Sequence, residues 1–153
     1  MPAGHAGQRR WPRVLLALFT GWVLAAALGS VVQTQFNLQA LVALGVPLPL
    51  DLRALTTLQD LVGFAPVYAG ILAAGWLPAL GLAAWLAQRA PAARTALFTA
   101  AAGAGMVAAV RAVDALAPMP VFIDATRTWP GLLSMAAAAA LGGWITARMW
   151  PRP

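Results

Sequence analysis

Between Val14 and Gln33 the chain reads VLLALFTGWVLAAALGSVVQ, twenty residues without a charge. At about 1.5 Å per residue a helix of this length covers roughly 30 Å, the thickness of a bilayer's hydrocarbon core. Three more apolar runs follow, at about 61–87, 95–113 and 131–147. Backbone in lipid must satisfy its own N–H and C=O groups, and only helices and closed barrels do so. No strand-like alternation of barrel length is present. The expected fold is an all-α integral membrane protein, with four transmembrane helices in an antiparallel bundle. Composition agrees: 9% of the residues are charged and 61% are hydrophobic, too few charges to cover a soluble fold. One domain is expected across 1–153, with short tails. The second run is over-long for a straight span, and Pro66 and Pro78 inside it are expected to tilt or bend it.

The same scarcity excludes most chemistry. There is no cysteine, so disulfides, thiolate catalysis and zinc–thiolate sites are ruled out. The single histidine, His5, lies in the polar N-terminal stretch, which leaves no buried His pair for haem and no Ser–His relay inside the membrane. No HExxH, GxSxG or P-loop pattern occurs. No cofactor and no metal are expected. An enzymatic route would have to use Asp60, Asp114 or Asp124 with Arg111, and the carboxylates are scattered along the chain. Lys and Glu are absent. With so much Ala, Gly and Pro, this looks like the product of a GC-rich bacterial genome.

The net charge of +6 invites a nucleic-acid partner, but the placement of the bases argues for topology instead. Arg9, Arg10, Arg13, Arg89, Arg94, Arg148 and Arg152 fall at one end of the four runs. Arg53, Arg111 and Arg127 fall at the other, with all four acids, Asp51, Asp60, Asp114 and Asp124. Excess arginine marks the cytoplasmic side. Both termini are therefore expected inside, in a bacterial inner membrane, and the basic balance is expected to serve contact with anionic lipid. Trp11, Trp85, Trp144 and Trp150 fall at the inner interface and Trp129 at the outer one. Trp22 and Trp76 fall mid-span, facing either lipid or the core. The first run is too long for a cleaved signal's apolar region, so it is counted as a span.

Lipid tails supply no hydrophobic drive for helix association, so small residues at four-residue spacing are candidate seams. They are Gly21/Ala25/Gly29, Thr95/Thr99/Gly103 and Ser134/Ala138/Gly142. The Gly21/Gly29 pair stands out because glycine costs helix stability. At the outer helix starts, Thr56 with Gln59 and Thr57 with Asp60 approximate capping boxes. Thr128 is placed to cap the last span, with Pro130 in its first turn.

Just past the first span, VVQTQFNLQA sets Gln33, Gln35, Asn37 and Gln39 at every second position. As a helix, Gln33 meets Asn37 and Gln35 meets Gln39. Phe36–Leu44 is expected to be a short extension or an interfacial helix that stops at Gly45, and a second short helix is expected at Leu50–Leu58. The outer loop between spans one and two would then be folded against the membrane. Around it gather Asp60, Tyr68, Arg111, Asp114 and Arg127. Together with Gln33, Gln35 and Asn37 they form a candidate outer polar layer. The simpler account is an anchor of Arg–Asp pairs at the interface. The sharper one is a pocket for a lipid, a small molecule or a peptide end.

In gross build four short spans are similar to small multidrug exporters, yet those carry an acid deep in the first span and this one has none. The function expected from these features is a non-enzymatic accessory or assembly subunit, or a lipid- or small-molecule-binding protein. Its expected partners are membrane lipid, a larger membrane protein or further copies of itself. The alternative is a small transporter, channel or flippase component.

Overall fold

The computed structural model describes residues 10–117 and 121–151; His5, Arg9 and Arg152 lie outside them. The described chain is helical. Four helices are long and apolar enough to cross a membrane: α1 (Arg10–Ala43), α2 (Leu50–Arg89), α3 (Arg94–Leu116) and α4 (Trp129–Met149). Short 3-10 turns at Pro91–Ala93 and Asp124–Arg127 precede α3 and α4. Each helix packs against its neighbours in chain order, and α4 closes the bundle against α1.

The first two helices are much longer than the spans the sequence suggested. α1 has 34 residues and α2 has 40, about 50 and 60 Å of helix. Of the two readings of Phe36–Leu44, extension and interfacial helix, the extension is observed, and the second short helix expected at Leu50–Leu58 is not separate. Phe36–Ala43 continues α1, and Leu50–Leu58 is the opening of α2. What remains as a loop is Leu44 to Pro49. The α1 helix stops as its sequence asked. Gly45 takes a φ of 83°, the left-handed region that glycine enters without a Cβ penalty. Its N–H reaches the Val42 carbonyl at 2.9 Å, and the Val46 N–H reaches the Leu41 carbonyl at 3.1 Å. This is the paired bonding of a Schellman stop.

The capping expectation for α2 fails for the same reason. Because α2 begins at Leu50 behind Pro49, Thr56 and Thr57 lie inside a helix whose N–H groups are already paired. Their hydroxyls instead donate back to the Leu52 and Arg53 carbonyls, at 2.9 and 2.8 Å. At α4 the expectation holds: Thr128 Oγ1 accepts from the Gly131 N–H at 3.3 Å, with Pro130 in the first turn. α2 runs unbroken through Pro66 and Pro78.

Glycine sits at the close approach of every helix pair. A Cβ on Gly142 would strike the Gly21 carbonyl oxygen, and one on Gly21 would fall 2.5 Å from the Gly142 carbonyl oxygen. That is the α1–α4 crossing. Gly75 and Gly105 meet in the same way between α2 and α3. Gly143 leaves room for the Phe98 carbonyl between α4 and α3, and Gly29 leaves room for the Tyr68 ring between α1 and α2. Both glycines singled out in α1 are therefore at contacts, and so is Gly142. Ala25 and Ala138 are buried beside them.

Size is sorted opposite to a soluble core. Ala25, Ala26, Ala83, Ala102, Ala139 and Ala147 are buried, while Leu15, Leu16, Phe19, Val62, Leu82, Leu133 and Leu141 point outward. Close backbone approach, not bulk burial, holds such a bundle. Large side chains fill only the axis, where α2 supplies the spine Tyr68, Leu72, Trp76 and Leu80. Trp76 is thus a core residue. Trp22 packs against the same core, and its indole N–H donates to the Ala69 carbonyl at 3.0 Å.

Candidate functional site

Where α1 leaves the four-helix bundle, its polar residues turn toward α2. Ser30 and Thr34 lie one helical turn apart and both are fully buried. The Ser30 hydroxyl donates to the Asp60 backbone carbonyl at 3.1 Å. The Thr34 hydroxyl donates to the Asp60 carboxylate at 2.7 Å, with the Ser30 carbonyl as a second acceptor at 2.9 Å. Asp60 is on α2, so these bonds fix the register of the two longest helices at one level. One turn further out, the Gln35 amide donates to the Thr57 hydroxyl at 3.1 Å. Sequence reasoning found Asp60 and Gln35, read Thr57 only as a cap, and missed Ser30 and Thr34. The missed sign was the i,i+4 repeat from Ser30 to Thr34, on the face next to Gln33.

Gln33 works in the other direction. Only 6% of it is exposed. Its Oε1 accepts from the Ala125 backbone N–H at 2.9 Å, and its Nε2 donates to Asn37 Oδ1 at 3.3 Å. The amide orientation is chemically forced, since only the carbonyl end can accept from Ala125. Ala125 belongs to the 3-10 turn that leads into α4, so Gln33 ties α1 to a segment 92 residues away in sequence. Gly131 permits this turn to pack down, because a Cβ there would collide with the Ala125 carbonyl.

The charged members stand apart from the amides. Asp114, with a side chain 10% exposed, accepts from the Phe122 N–H at 3.0 Å and lies 3.8 Å from Arg111. Arg127 pairs with Asp124 at 2.8 Å. Both pairs are three residues apart in sequence, and their guanidiniums are 53% and 59% exposed. Exposed pairs of this kind contribute little. Among the described residues no hydrogen bond or ion pair joins Arg111 or Arg127 to Gln33, Gln35, Asn37 or Asp60. Tyr68 lies two turns along α2 from Asp60, fully buried, stacked on Phe64 at a centroid distance of 5.8 Å. Its hydroxyl has no hydrogen-bond partner among the described residues.

Seven of the eight candidate residues therefore fall into three groups: the α1 polar face, where Gln35 and Asp60 clasp α1 to α2 and Gln33 with Asn37 holds the α4 turn, the Arg111–Asp114 corner of α3, and Arg127 paired with Asp124 before α4; Tyr68 stands apart in the core. The clasp's donors and acceptors are largely spent on one another and on backbone. Among the described residues no three acidic or histidine side chains gather as metal ligands would. Comparison with protein-family models, with curated proteins and with solved structures found no match for the chain.

Proposed function

We propose that the chain is a bacterial inner-membrane protein with cytoplasmic termini, acting as a non-enzymatic accessory subunit that engages a larger membrane partner on the outer side. The observation that carries this is the projecting α1–α2 hairpin. Past the clasp at Thr34 and Asp60, both helices continue for about ten residues, roughly 15 Å, whereas α3 and α4 have only 23 and 21 residues in all. The projecting part exposes polar side chains, Gln35, Gln39, Asp51 and Gln59, but large leucines stand outward among them. Leu44, Leu50 and Leu58 are 80%, 83% and 62% exposed. On this placement the hairpin tip stands beyond the lipid, where such exposed leucines are costly in water and mark an interaction surface. The clasp below it supports an anchoring role, since it stiffens the base of the hairpin and holds the α4 turn.

The orientation rests on the arginines and has its own test. Alkaline phosphatase fused after Leu44 is expected to be active, because the hairpin tip is periplasmic, and inactive when fused after Ala92. The reverse pattern would invert the topology. For the partner, a photo-crosslinking residue at Leu44, Leu50 or Leu58 is expected to give a discrete protein adduct in native membranes. The same residue at Leu15 or Leu141, within the membrane level, should give none. Adducts with lipid alone at the hairpin, together with solute flux through liposomes holding only this chain, would replace the subunit with a small transporter.

A further inference from the structure

The opposite end of the bundle carries a second feature that the hairpin does not explain. Between α1, α2 and the start of α3 lies a groove of about 840 Å³ whose lining includes Arg10, Gln88 and Arg94. Its apolar wall is Val14, Ala84 and Ala87, and Trp150 lines it from the C-terminal side. The Trp150 ring is held edge-on by Phe98, at a centroid distance of 5.1 Å. The volume falls within the range of small-molecule sites, roughly 300–1,000 Å³.

The cations at this end are not equivalent. The Arg89 guanidinium lies 3.7 Å from the centre of the Trp85 ring, and that of Arg148 lies 5.0 Å from the centre of Trp144. Those two are occupied by aromatic faces, as interfacial anchors are. Among the described residues Arg10, Arg13 and Arg94 have neither an ion pair nor a ring, all four aspartates lie toward the other end, and of these three arginines Arg10 and Arg94 line the groove. Two guanidiniums lining one groove, without an acidic partner among the described residues, make it a basic site that favours an anion. Arg94 also opens α3, where the helix dipole adds to the pull on negative charge.

From the unpaired arginines and the apolar wall below them, we propose that this groove is a binding site for an anionic phospholipid. The phosphate sits between the Arg10 and Arg94 guanidiniums, the Gln88 amide serves the headgroup, and an acyl chain lies along Val14, Ala84 and Ala87. Charge complementarity selects the occupant. The inner leaflet presents anionic headgroups at this depth, and basic pockets between helices on that side recognise them. A soluble anion would make no use of the apolar wall. The proposal rests on the membrane placement given above and not on the identity of the hairpin's partner.

Native mass spectrometry of the purified chain, with phosphatidylglycerol or phosphatidylcholine added, tests it. The wild type is expected to retain phosphatidylglycerol preferentially. Arg10→Gln with Arg94→Gln is expected to lower that retention about tenfold or more, since two charge-assisted contacts are lost. Arg89→Gln with Arg148→Gln removes the same charge from the same end and is expected to leave retention unchanged. Equal losses in both double variants, or no preference in the wild type, would overturn the site. Displacement of the lipid by millimolar inorganic phosphate would overturn the lipid as occupant. Release of the chain from membranes by alkaline carbonate would instead sink the membrane placement, which separates the two failures.

Discussion

Gly21→Leu is expected to prevent assembly of the bundle or to lower its unfolding midpoint in detergent by the largest margin of any single change in α1. Gly21 faces Gly142 across the α1–α4 crossing, and the atoms in the way are the Gly142 carbonyl and the Thr146 hydroxyl. Backbone cannot rotate aside as a side chain can. Overpacking a yielding site costs about 1–3 kcal/mol, and this site does not yield, so the loss should reach or exceed that range. The Thr146 hydroxyl, which is shared between the Gly142 and Ala17 carbonyls at 2.9 and 3.3 Å, would be displaced as well. The control has the opposite sign. Gly63 and Gly70 have open space where a Cβ would go, so alanine there should stabilise α2 by about 0.5–1 kcal/mol through helix propensity alone. Thermal or denaturant titration followed by tryptophan fluorescence measures both. If Gly21→Leu unfolds together with the wild type, the α1–α4 contact is wrong.

This contrast explains what could be read ahead of the structure. The Gly21/Gly29 pair was legible because two glycines eight residues apart in an otherwise leucine- and alanine-rich helix carry a propensity cost that needs a reason. Gly75 and Gly105 were not, since their meaning depends on the register between α2 and α3, and Ala-rich helices offer many registers of similar appearance. Helix number followed from length and hydropathy. Helix ends did not: nothing local distinguishes an apolar helix that stops at the interface from one that continues beyond it, so Leu50–Leu58 looked like a separate piece. Gly45 was the exception, because a left-handed residue leaves a local mark. Tyr68 was assigned to the polar layer by its position near Asp60, yet helical phase turns it into the axis, where it stacks on Phe64.

The amides at the end of α1 carry the second large effect. Gln33 and Gln39 belong to the same alternating run, but helical phase buries one and exposes the other. Gln33→Met keeps the length and removes both polar contacts. The Ala125 N–H would then be buried without a partner, and Asn37 would lose a donor. An unsatisfied buried group costs about 1–3 kcal/mol, and more where water cannot reach it. Gln39→Met, at an exposed position, should be silent. The two amides thus predict a large and a null effect from the same substitution six residues apart. Stability alone does not separate an anchor from a pocket, so a local readout is needed. If Gln33 is a tie between α1 and the turn before α4, hydrogen exchange at Ala125 and Thr126 should rise in Gln33→Met while the Asp60 side of the clasp, held by Ser30 and Thr34, stays protected. Crosslinking from the hairpin tip should weaken in parallel with the loss of folded protein. If Gln33 instead lines a pocket, exchange at Ala125 should remain slow, folded protein should remain abundant, and only the partner or ligand interaction should be lost. The first pattern is expected, because the Gln33 carbonyl has one donor within reach across the bundle and already uses it.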